Sequence, residues 1–138
     1  MSNGTLPMII LDTCVLIFDS LSPDRLSRNA LAILNAEENC SVLCCSDISL
    51  WEISMLIKKG RLQPGTDSLT YLQLVLNARQ ITILPITPRI AHLSTSMLEI
   101  NHHDPADRII AATAKEHRAT LVTVDQKLLG LKGITTIW

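Results

Sequence analysis

The acidic side chains of this chain fall where carboxylates can do chemistry. Asp12 closes the apolar run "MIIL" at residues 8–11, and Asp125 follows "ATLVTV" at 119–124. Glu52 stands inside "SDISLWEISMLIKK", and Asp104 and Asp107 open the helical run "DPADRIIAATAKEH". Singly, most have a plain structural use. Asp12 and Asp125 can cap the segments that follow them. Asp104, with Pro105 at the first helical position and Asp107 after it, reads as a capping box with Asp in place of Glu. Glu52 resists that reading. It lies too deep in its helix to cap it, and Ile48, Met55 and Leu56 share its apolar stripe. Burying a lone carboxylate costs several kcal/mol. Asp107 likewise shares a face with Ile110, Ala111 and Ala114.

Together the acids pose a charge problem. Two carboxylates about 4 Å apart repel by roughly 4 kcal/mol at an effective dielectric near 20. A fold that gathers three or four of them needs a counter-charge, and no lysine or arginine follows a strand in a comparable position. Hard carboxylate oxygens without thiolates favour Mg²⁺ or Mn²⁺ over zinc. Such an ion activates water and clamps the oxygens of a phosphodiester.

The elements that must position these acids are legible as an alternation. "MIIL" (8–11), "SVLCC" (41–45), "ITILPI" (81–86), "ATLVTV" (119–124) and "ITTIW" (134–138) are short, apolar and rich in β-branched residues. Helical periods fill 24–38, 47–59, 66–78, 88–99 and 105–118, with a helix pair between the second and third strands. Continuous rather than alternating apolar strands point to a sheet covered on both faces. The expectation is a three-layer α/β/α sandwich around a mostly parallel sheet of about five strands, one domain over 1–138. In such sheets the functional crevice lies beyond the carboxyl ends of the strands. The 138 residues are 47% hydrophobic and 18% charged, which excludes a disordered chain. No apolar run reaches membrane-spanning length. "MSNGTLP" lacks the features of a signal peptide, so the chain reads as cytoplasmic. Cys14, Cys40, Cys44 and Cys45 form no C-x-x-C pair and read as reduced thiols.

With these residues in view, the sequence resembles the PIN domain family, and within it the VapC-type toxin ribonucleases of bacterial toxin–antitoxin pairs. The likeness runs from "IILDTCVLI" through "SLWEISMLIKKG" and "HHDPADRIIAATA" to "LVTVDQKL" and "ITTIW", in matching order and spacing. It implies a parallel sheet between helices and a metal-dependent endoribonuclease with Mg²⁺ or Mn²⁺ as cofactor. It implies Asp12, Glu52, Asp107 and Asp125 as the catalytic, metal-binding acids, with Asp104 capping its helix and second in line as a ligand. Thr13 and Thr123 match positions where the family carries hydroxyls near the site. Ala106 departs from the pattern, since relatives commonly have an aromatic in D-P-x-D-R. The resemblance also implies an RNA substrate, a VapB-like antitoxin and a homodimer.

Charge and surface bear on those partners. The formal net charge is −1, but setting four metal-neutralised carboxylates aside leaves 12 basic residues against nine acidic ones. Lys58, Lys59 and Arg61 cluster after the Glu52 helix and Arg108 adjoins Asp107, so these can hold RNA phosphates. His102 and His103 read as solvated or helix-leading residues, or as RNA contacts or proton shuttles. With only Phe18, Trp51, Tyr71 and Trp138 as aromatics, base stacking is not expected, and recognition is read as resting on shape and backbone. The 66–78 and 24–38 helices carry more apolar surface than one face can hide, which fits a partner. Two rivals are weaker. A phosphoacceptor domain needs a lysine after the fifth strand, and a D-x-D phosphatase needs an acid where Cys14 stands. A non-catalytic PIN fold that serves only as an RNA-binding or interaction module is the alternative that keeps the same residues.

Overall fold

The computed structural model describes residues 6–37, 40–97 and 104–138. His102 and His103 lie outside the described residues. The chain runs β1 (Met8–Leu11), α1 (Thr13–Leu21), a 3-10 turn (Pro23–Arg25), α2 (Arg28–Leu34), β2 (Val42–Ser46) and α3 (Asp47–Lys58). It continues through α4 (Ser68–Ala78), β3 (Thr82–Leu84), α5 (Pro88–Ser96), α6 (Pro105–His117), β4 (Thr120–Val122) and β5 (Thr135–Ile137). The strands form one five-stranded sheet in the order β3-β2-β1-β4-β5, and each neighbouring pair is parallel. The expected sandwich is what is found.

Strand periodicity builds its two cores. Ile9 and Leu11 of β1, Cys45 of β2 and Val122 of β4 point to one face, which α1, α2, α3 and α4 cover. Ile10, Cys44 and Leu121 point to the other, against α5 and α6. Both faces are buried, so the alternation of a one-sided sheet never appears in the sequence. All four cysteines are free thiols, with Cys44 and Cys45 buried.

The structure corrects the sequence reading in three places. First, α1 was not expected. Thr13, Val15, Ile17 and Phe18 are poor helix formers, but Val15, Leu16 and Phe18 are buried against the sheet, and packing overrides propensity. Second, the helix expected at 24–38 shrinks. Pro23–Arg25 is a 3-10 turn, Leu26 is extended, and α2 starts only after Ser27, which caps it through Ala30 N. Third, the apolar surplus is confined to one of the two helices. Leu69 and Leu74 of α4 are 65% and 61% exposed, whereas no large apolar side chain of α2 is exposed.

Candidate active site

The chain leaves β1 for β2 and β3 on one side and returns to β4 and β5 on the other. The crevice beyond β1 and β4 is therefore the topological switch point, where open parallel sheets bind ligands. Asp12 is the first residue past β1 and is only 4% exposed. Its N–H donates to Val122 O at 3.0 Å. One carboxylate oxygen accepts from Thr13 N at 2.8 Å, the other from the Thr123 hydroxyl at 2.6 Å. The Thr123 oxygen in turn accepts from Asp125 N at 3.1 Å, so one buried hydroxyl orients both strand-end acids. Asp125 also accepts from Lys127 N at 2.9 Å, as a cap would.

Glu52 reaches the crevice from α3. On that helix Ser49 and Ile53 are buried, so Glu52 sits at the border between the packed stripe and the open face. Its Oε1 accepts from the Thr13 hydroxyl at 2.5 Å. The Ser49 and Thr13 hydroxyls are 2.8 Å apart; with the Thr13 proton committed to Glu52, Ser49 is the donor. Asp104 caps α6, accepting from Ala106 N at 2.9 Å and Asp107 N at 3.4 Å. Asp107 follows in the first turn, half-buried.

Electrostatics ties the five acids into one site. Desolvation, then Asp104, Asp12, Asp125 and Glu52, push the Asp107 carboxyl up to about 8. Asp12 is raised chiefly by burial, against the pull of Thr123 and Thr13, with Asp125 and Asp104 adding to the rise. Glu52 is raised by burial, offset by Thr13, with Asp104 and Asp12 again adding. The Cys14 thiol is pushed up to about 11 by desolvation and then by Asp12, Glu52, Asp107 and Asp125. It is therefore a poor nucleophile at neutral pH.

Asp104 is thus both the cap and a member of the charged cluster. The cluster suits a hard divalent cation, whose charge would let these acids ionise together. Among the described residues, however, no three His, Cys, Asp or Glu groups form a ready-made cage. Mg²⁺ tolerates this, because it keeps several waters and takes only one or two carboxylates directly.

A groove of about 500 Å³ opens from the site along α3, lined by Trp51, Glu52 and Asp104 at one end and by Met55, Lys59 and Arg61 beyond. Lys58 is exposed but does not line it. Arg108 donates to Ser94 O at 3.4 Å, reaching across to α5.

The sequence matches the PIN domain family model over residues 9–133. The chain belongs to the PIN domain family. It is similar to ribonuclease VapC22 of Mycobacterium tuberculosis (strain ATCC 25618 / H37Rv), 35% identical over 120 residues that cover 87% of this chain and 88% of that one. Its fold is similar to chains in two crystal structures of DNA-bound VapBC proteins. One is VapBC2 of Rickettsia felis, bound to a fragment of its promoter, with a TM-score of 0.70 at 18% identity over 94% of this chain and 97% of that one. The other is VapBC of Salmonella typhimurium, with a TM-score of 0.69 at 20% identity over 96% and 98%.

Within this PIN domain, sequence reasoning missed Ser49. It was legible only as half of an S-x-x-E capping pattern, whereas Ser46 caps α3 through Ile48 N. The residue Ser49 serves is Thr13, 36 positions away, and no local pattern could reveal that.

Proposed function

We propose that this PIN domain, read as one unit over 1–138, is an endoribonuclease and the toxin of a type II toxin–antitoxin pair. Asp12, Glu52, Asp107 and Asp125 would hold Mg²⁺ or Mn²⁺, with Asp104 supporting. What supports this reading is the hydrogen-bonded placement of Asp12, Asp125 and Glu52 through Thr123 and Thr13, with Asp104 lining the same groove as Glu52, in a chain 35% identical to a ribonuclease. When bound, the ion would polarise the phosphodiester and lower the pKa of a water. The chain's own part is positioning. Thr123 and Thr13 hold Asp12 and Glu52 in fixed rotamers, so little reorganisation is left for the reaction. Lys59, Arg61 and Arg108 are the candidates for phosphates flanking the scissile bond.

For partners, we read a VapB-like antitoxin and a second copy of the chain. Leu69 and Leu74 of α4 offer apolar surface. A groove of about 550 Å³ between α1 and α4, lined by Leu21, Pro64, Tyr71 and Leu74, could take an antitoxin segment. No helix among the described residues is long and apolar enough to cross a membrane.

The test is RNA cleavage by the purified chain with Mn²⁺ or with a chelator, beside Asp12→Asn and Glu52→Gln. Metal-dependent cleavage that both substitutions abolish is expected. RNA binding without turnover would favour the non-catalytic alternative.

A further inference from the structure

Trp51 is out of place for a core residue. It is 60% exposed, although Trp is the largest apolar side chain and costs most to leave in water. The periodicity of α3 explains where it stands. Ile48, Trp51, Met55 and Lys59 recur at helical spacing along one stripe, while Ser49 and Ile53 are buried on the side that packs inward. That stripe is a wall of the groove that begins at Glu52 and Asp104 and ends at Lys59 and Arg61. Glu52 and Lys59 are seven residues apart, so the groove runs about 10 Å along α3. Its chemistry changes along that length from acid, with an exposed indole beside Glu52, to two cations. At about 500 Å³ it falls within the roughly 300–1,000 Å³ of small-ligand sites.

We propose that this groove is a nucleotide subsite for RNA adjoining the scissile phosphodiester, in which a base stacks on Trp51 and the next phosphate is held by Lys59 and Arg61. The inference rests on the ribonuclease reading above and names a residue that reading does not use. Three observations favour a nucleotide over another occupant. The groove is continuous with the acid site, so a strand cleaved there must leave along some such path. Its far end carries the charge that a phosphodiester needs. Its acid end presents an exposed indole beside Glu52, a π-face on which any base can stack without sequence preference. The scarcity of aromatics, which argued against a stacking platform, is thus answered by a single well-placed one.

The test uses the full chain in metal-free buffer with chelator, where RNA binds but is not cut, and a short single-stranded RNA oligonucleotide as probe. With Trp138→Phe as background, Trp51 is the sole tryptophan. Its fluorescence should be quenched as RNA is added. Trp51→Ala should weaken RNA binding roughly 5- to 150-fold, the range base–aromatic stacking supplies, while Trp51→Phe restores most of it. In cleavage assays Trp51→Ala should raise KM far more than it lowers kcat, with Mn²⁺ affinity unchanged. Lys59→Ala and Arg61→Ala should each reduce the salt dependence of binding by about 0.7 in log–log slope. RNA affinity and quenching unaffected by these substitutions, in a wild-type chain that cleaves, would overturn this proposal alone. A wild-type chain that neither binds nor cleaves RNA would overturn the ribonuclease reading with it. A change of oligomeric state in Trp51→Ala, whatever its RNA affinity, would assign Trp51 to a contact between copies and overturn the subsite.

Discussion

Asp12 shows how a single residue can be committed to structure and to chemistry at once. It caps α1, continues the β1/β4 pairing through its N–H, and keeps a buried carboxylate whose oxygens accept from Thr13 N and the Thr123 hydroxyl. Thr123 is fully buried, so its hydroxyl has no solvent alternative. Replacing it with the near-isosteric valine should leave one Asp12 oxygen without its donor. We expect Thr123→Val to lower Mn²⁺ affinity on the order of 10–100-fold. It should cost about 1–3 kcal/mol of stability at alkaline pH. The loss should shrink in acid as Asp12 takes up a proton, and Thr123→Ser should recover most of both. Calorimetric Mn²⁺ titration and denaturant unfolding would read these effects, and wild-type metal affinity in Thr123→Val would refute them. Four of the acids were legible in the sequence because Asp12 and Asp125 follow strands while Glu52 and Asp107 interrupt apolar helical stripes, and Asp104 was legible as a cap. The hydroxyl relay from Ser49 through Thr13 to Glu52 was not, because hydrogen bonds between residues 36 and 39 apart leave no local mark.

At the scale of elements, termination and capping decide what can reach the crevice. The N-terminus of α6 carries Asp104 as cap, Pro105 at its first position and Asp107 in its first turn, so one turn of helix delivers two acids. Helix dipole and cap stabilise the anions that their neighbours destabilise. The two acids should therefore separate by substitution. Asp104→Asn keeps a side-chain acceptor for Ala106 N, so stability should be held within about 0.5 kcal/mol, with Mn²⁺ affinity only modestly reduced. Asp107→Asn should lose metal affinity and cleavage together. A more severe metal defect in Asp104→Asn would reverse the roles. Most elements were predictable from apolar runs and start signals such as Pro88 and Pro105. The exception was α1, left unassigned because β-branched Thr13, Val15 and Ile17 carry little helix propensity until the sheet supplies the packing that makes them a helix. Strand ends were also overdrawn, since apolar residues at 85–86 and 124 continue past the hydrogen-bonded ladder.

For the whole molecule, one arginine ties the helical layer over the first core. Arg79 bridges Asp19 of α1 with two hydrogen bonds and donates to Leu34 O and Asn35 beyond α2, joining α1, α2 and the end of α4. That layer frames the α1/α4 groove, while the acid crevice opens at the carboxyl end of the sheet. Proposed partner and proposed catalysis thus occupy different elements of one frame. The acid cluster also sets how stability responds to pH. Asp107, Asp12 and Glu52 all have raised folded-state affinities for protons. The metal-free folded chain therefore holds protons that the unfolded chain releases. Its stability should be greatest below about pH 4 as far as these groups are concerned, and fall as pH rises toward about 8, where Asp107 loses its proton. A bound divalent cation should cancel that fall.

The measurement that bears most directly on the carboxylate site is a calorimetric Mn²⁺ titration of the wild type and Asp107→Asn at pH 6 and pH 8, with cleavage of one RNA followed in the same samples. Wild type should bind Mn²⁺ more tightly at pH 8, release protons on binding at pH 6, and cleave in proportion to metal bound. Asp107→Asn should lose most of the affinity and nearly all of the cleavage at both pH values. Metal affinity and cleavage that are independent of pH and unchanged in Asp107→Asn would contradict the account.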